Sequence, residues 1–433
     1  MTPLGRLFIA LCVCSVVLLA AGLAERGAQQ SARYVPGYKD PVVAEMKEKS
    51  RREREAREAQ TAKIRATQRD EAAKKKDDER ELRCDFAGVE KPASPEDCHP
   101  AFHFPPVRQF RTGNCWAHST TSFFESEVAR LSGRKIKLSE MHTVYFEYVE
   151  KARRYVQQRG ASYFDAGSEG TVVPRVWARY GVVPAEAYRG TRDPDGRFDD
   201  NDMLDELKAY LEQVRQHELW NEELVVESLR LILDKYMGRP PERFTFEGAE
   251  MTPAGFLADV LKLKFEDYVS VMSTLATPAH EYGEYKVTAN WWHEAYYNVP
   301  LDEFYGVLRY AAEHGYTVRL NGDTSEPGYD GCAGVAIVPS FDIPREYIDT
   351  AARELRIFNK TTDDDHDIHL VGMTHVGDYD WFLIKDSSNE AQCGAAKGYL
   401  FYREDYVKLK MLTYTVHREV VEAVIKGYRA RGT

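Results

Sequence analysis

The strongest constraint on the fold is a change of hydrophobic period along the chain. Residues 116–131 keep apolar side chains at helical spacing through Phe123, Phe124, Val128 and Leu131, and Gly133 follows as a C-terminal cap. Ser139 caps a second helix that runs through Tyr155, and Gly181 ends a third over 171–180. Residues 203–237 carry two more apolar stripes, one led by Leu204 and Leu207, the other by Val225 and Leu229. A helix over 301–314 stops at Gly315. The period then changes to alternation, and 316–320, 368–372, 381–385, 398–403 and 412–417 read as strands. A helical first half and a strand-rich second half imply an α+β protein with a cleft between its halves.

The start of the chain is of another kind. Residues 1–24 have a short positive region at Arg6, an apolar run, and small residues around Ala24, which is the pattern of an export signal. An uncleaved membrane anchor is the alternative, because the run just reaches spanning length. Residues 25–83 form a charged spacer, helical or disordered, with Glu48 and Arg52 at helix-supporting spacing and no heptad seam. Residues 84–433 are then the folded domain, with an insertion at about 192–300. The expected location is exported: periplasmic, cell-envelope or secreted. Any membrane contact would run through the N-terminal segment alone, and oligomerisation is left open.

A net charge of −11 argues against a nucleic-acid partner. Phosphate-binding loops, dinucleotide turns and zincin helices are missing from the sequence, so no cofactor or metal is expected. Five cysteines lie beyond the signal, and in oxidising surroundings four can pair. Cys84 with Cys98 is the local pairing, Cys332 with Cys393 the distant one, and Cys115 is left over; sequence alone leaves the connectivity open.

Cys115 begins the first helix, where free N–H groups and the helix dipole favour thiolate over thiol. Gln109 lies upstream, with Gly113 between to let the backbone turn, and its amide is placed to help hold an oxyanion beside the Cys115 N–H. A lone cysteine is more often a buried structural residue. It becomes a nucleophile when a histidine and an orienting polar group join it, and His366 and Asp386 are the candidates. His369, on the opposite face of the same strand, is the reserve base.

The segment Gln109, Gly113-Asn-Cys115-Trp116 resembles the active-site segment of papain-like cysteine peptidases. Leu138-Ser139-Glu140, His366 with Gly372, Ile384-Lys-Asp386-Ser387 and Gly398-Tyr399-Leu400 resemble later motifs of that family. The likeness runs from about Phe104 to about Val420, and it is nearest to the bleomycin hydrolase/aminopeptidase C branch, whose long insertion accounts for the distance between Cys115 and His366. The resemblance implies a two-lobed fold, with a helical left lobe, a β-barrel-like right lobe and a helical insertion. It implies a thiol peptidase acting on peptide substrates, an aminopeptidase before an endopeptidase. Cys115 is then the nucleophile, His366 the base and acid, Gln109 the oxyanion donor and Asp386 the orienter. Gly167 and Ser168 stand for the substrate wall beside Trp116. Three departures are visible: Asp386 replaces the family's Asn, and Ser388 and Asn389 replace the Trp and Gly that usually shield the pair. They motivate the alternative of an impaired pseudoenzyme that binds peptides or serves the envelope.

Overall fold

The computed structural model describes residues 32–77 and 80–428. The chain divides into two compact units, residues 1–80 and 81–433. In the first, helix α1 (Pro41–Asp77) is 37 residues long. It is solvated on all sides and held by pairs one turn apart, such as Arg51 to Glu48 at 2.6 Å and Arg51 to Glu55 at 2.7 Å. Among the described residues no helix is long and apolar enough to cross a membrane. The call on residues 1–24 lies outside the described residues.

The second unit has two large hydrophobic cores and a third, smaller one. The first belongs to helices α2 (Cys115–Ser132), α3 (Glu140–Gln157), α4 (Val172–Tyr180), α5 (Asn201–Gln216) and α6 (Glu222–Met237). Phe123, Phe124 and Val128 of α2 are fully buried in it, each worth roughly 1.5–3 kcal/mol of transfer free energy. Leu131, expected on the same stripe, is exposed. Gly133 caps the helix at φ 72°, and the Ser139 hydroxyl accepts from His142 N–H at the start of α3.

The second core lies against a ten-stranded sheet. Its central strands in chain order are β1 (Tyr268–Met272), β2 (Val318–Gly322), β3 (His366–Val376), β4 (Tyr379–Lys385), β5 (Tyr399–Arg403) and β6 (Met411–His417). They lie side by side as β1-β6-β2-β3-β4-β5 and are antiparallel throughout. Ile368, Leu370, Phe382 and Ile384 bury one face against α7 (Leu301–Glu313) and the chain's last helix. Helix α2 packs on β3 from the other face. That contact brings the start of α2 to the start of β3, where Cys115 and His366 stand.

Of the two expected cysteine pairings, one is present and one is not. Cys332 and Cys393 are joined, with their Cα atoms 4.6 Å apart. The local pairing of Cys84 with Cys98 is not formed, and both are free. Cys98 points into a small apolar cluster with Val371, Trp381 and Leu383, while Cys84 sits at the edge of that cluster. Burial pushes the Cys98 thiol up to about 12, so it is unreactive.

Candidate active site

Cys115 opens α2, with its N–H among the donors of the first turn that have no partner within the helix. Gly113, two residues before it, is not among the glycines of positive φ, so its role there is one of space. A side chain there would meet Ala166 Cβ at 2.8 Å: glycine is required for close approach of the 166–167 segment.

His366 is the first residue of β3 and is buried. Its Nε2 lies 2.9 Å from Asp386 Oδ1, and the Cys115 side chain is near enough to the imidazole to act on its pKa. Burial pulls the His366 pKa down. The Asp386 carboxylate and the Cys115 sulfur together outweigh that pull and hold it well above the usual histidine range. Burial raises the Asp386 carboxyl in the same way, but His366 and the Ser388 N–H leave its pKa below the ordinary aspartate value. Both shifts favour the imidazolium and carboxylate forms of the pair.

Asp386 follows the end of β4, and its N–H donates to Gly398 O at 2.8 Å. Its Oδ1 also accepts from the N–H of Ser388, two residues on, at 2.6 Å, which makes an Asx turn. Tyr329 contributes a hydroxyl 3.5 Å from Oδ2. The shielding tryptophan of the family pattern is missing, yet His366 keeps only 8% of its surface exposed. The loop is tied down instead by Asn389, which donates to Phe110 O at 2.8 Å and accepts from Arg108 Nε at 2.7 Å.

Gln109 is held at both ends of its amide. Nε2 donates to Thr112 O at 2.8 Å, and Oε1 accepts from Ser387 Oγ at 2.7 Å. The second N–H of Nε2 is used by neither of these contacts. His369 is excluded as the base. It faces α2, with Nδ1 2.8 Å from Ser122 Oγ, and complete burial beside Lys385 drives its pKa well below the histidine range.

The expected substrate wall is more structural than anticipated. Trp116 is 1% exposed, and its indole donates to Ala166 O at 3.1 Å. The Ser168 hydroxyl turns inward and donates to Glu147 at 2.6 Å, where Trp291 Nε1 also donates. Lys151 holds Gly167 O at 2.6 Å. These contacts fix the position of the 166–168 backbone and leave Ala166 and Gly167 as its partly exposed members. Among the described residues no acidic, histidine or cysteine group is arranged to hold a metal ion.

The set can deliver a thiolate to a carbonyl carbon, stabilise the resulting oxyanion and return a proton to a departing amine. Sequence reasoning missed Tyr329, which is 57 residues from Asp386, and Thr112. The Asx turn at Asp386-Ser-Ser388 was the local signal for the Ser388 contact.

No known protein family matches the chain by its sequence profile, and no curated protein matches it. Among solved structures, PepW from Lactobacillus rhamnosis HN001 (DR20) superposes with a TM-score of 0.60 at 16% identity, over 76% of this chain and 84% of that one. A structure from work on the mite allergens Blo t 1 and Der p 1 aligns over 78% of this chain and 75% of that one at 14% identity, with a TM-score of 0.37. The fold is the two-lobed α+β papain-like fold.

Proposed function

We propose that this chain is an exported cysteine peptidase that cleaves peptide bonds through an acyl-enzyme. The observation that carries the reading is one arrangement: Cys115 at a helix start, close to His366, which is itself 2.9 Å from the Asp386 carboxylate. The Cys115 thiolate adds to the substrate carbonyl, and the oxyanion forms toward Gln109 Nε2 and the Cys115 N–H. His366 gives its proton to the leaving amine as the C–N bond breaks. Water then attacks the thioester, with His366 taking the water proton and the sulfur leaving as thiolate.

Export is supported by the Cys332–Cys393 bond, which suits an oxidising compartment, and by the signal-like residues 1–24. Trimming from the amino end is supported by the likeness of residues 104–420 to the aminopeptidase C branch.

Labelling with a thiol-directed epoxide under reducing conditions tests the chemistry. The adduct is expected on Cys115 and not on Cys84 or Cys98, with loss of peptide turnover. No adduct and no turnover would reject the peptidase. Faster cleavage of amino-blocked peptides than of free-amine ones would reject the aminopeptidase assignment alone.

A further inference from the structure

A cavity of about 530 Å³ opens beside His366 and Ser388. Neither Cys115 nor Gly167 lines it, while the histidine that protonates the leaving amine does. The cavity reaches His366 past Ser388, the position at which the family pattern carries a tryptophan. Tyr329, whose hydroxyl faces Asp386, forms part of the floor.

Its wall is charged. Glu81, Glu326, Asp365 and Glu390 line it against one guanidinium, Arg83. Lys410 pairs with Glu326, and Arg83 is shared between Glu81 and Glu390, so two negative charges stay uncompensated. Asp365 is one of them: it is held by the N–H groups of Thr324 and Ser325, which orient the carboxylate without neutralising it. The segment carrying Glu81 is fixed in place, because Cys84 N–H donates to Pro327 O at 2.7 Å and Arg83 donates to Tyr329 O.

The geometry points to this cavity as the pocket for the first residue of the leaving group, with a preference for lysine or arginine there. The inference rests on the peptidase reading. The wall's carboxylates attract a cationic side chain and repel an acidic one, and the cavity has room for a long aliphatic stem.

The test uses the full chain, a mixed peptide pool and mass spectrometry. Three peptides differing only in Lys, Leu or Glu after the scissile bond then give kcat/KM. Basic residues should be enriched after the cut, and Lys should exceed Glu by about tenfold or more, with the ratio shrinking at high salt. In Glu81→Gln/Glu390→Gln, with folding checked by circular dichroism, the Lys/Glu ratio should fall severalfold. The salt series on the unaltered protein needs no variant and stands even if that double variant fails to fold. Cleavage without a basic preference, or with an acidic one, overturns the pocket assignment and leaves the peptidase standing. Cleavage of no peptide overturns both.

Discussion

Ser387 Oγ donates to Gln109 Oε1 at 2.7 Å across 278 residues of sequence, while Gln109 N–H donates back to Ser387 O at 2.9 Å. The proposed oxyanion donor and the neighbour of the Asp386 carboxylate are thus one hydrogen-bonded unit. Positioning of the oxyanion and positioning of the imidazole are linked through a single loop.

That link sets the first expectation. Gln109→Ala should lower kcat by about 10²–10³ with KM little changed, since it removes an oxyanion donor. Ser387→Ala frees the amide to swing and should cost roughly tenfold in kcat. The double variant should cost less than the two losses combined, because both act on one amide. Steady-state kinetics on one peptide reads all three.

Asp386→Asn keeps an acceptor for His366 Nε2 but removes the charge that holds the imidazolium. The alkaline limb of the kcat/KM profile should move to lower pH. Stability follows the same groups. The His366 pKa is raised, so its contribution is complete below about pH 6.5 and is lost as pH climbs through the folded value. The Asp386 pKa is lowered, so its share is complete above about pH 3.9 and is lost as pH falls through the folded value. The advantage of the native protein over Asp386→Asn in thermal midpoint should therefore be greatest between about pH 4 and 6.5.

Arg319 is fully buried, 2.6 Å from Asp367 beside the candidate base and 3.0 Å from Glu169, which lies just ahead of α4. Removing it strands two carboxylates away from water. Arg319→Ala should destabilise by about 3–5 kcal/mol in chemical denaturation. Gly170→Ala should also destabilise, because its Cβ would meet Thr120 Oγ1 at 2.4 Å and Arg319 Nε at 2.5 Å.

The Cys332–Cys393 bond braces the turn that carries Glu390 against the segment after Tyr329. Replacing both cysteines by serine should cost roughly 2–4 kcal/mol, read from urea unfolding.

Much of this architecture was legible in the residues themselves. The helix and strand alternation follows from apolar spacing, and α2 to α6 and β3 to β6 fall where the spacing puts them. Cys115, His366 and Asp386 each carried only weak local evidence; a pattern across distant segments joined them. Contacts that depend on the folded surroundings were not legible. Tyr329 reaches Asp386 only because the 329 segment lies under the loop that follows β4. Cys98 and Cys84 sit at loop spacing, but spacing does not tell which way a side chain faces, and Cys98 faces the core. Trp116 and Ser168 were read as surfaces for substrate, and both turn out to support the wall from inside.

The most direct measurement is turnover of a free-amine peptide pool, read by mass spectrometry, for the reduced native chain and for Cys115→Ala. The account predicts progressive hydrolysis by the native chain and none above background for the variant. Equal hydrolysis by both, or none by the native chain while Cys115 stays reduced and accessible to alkylation, would contradict it.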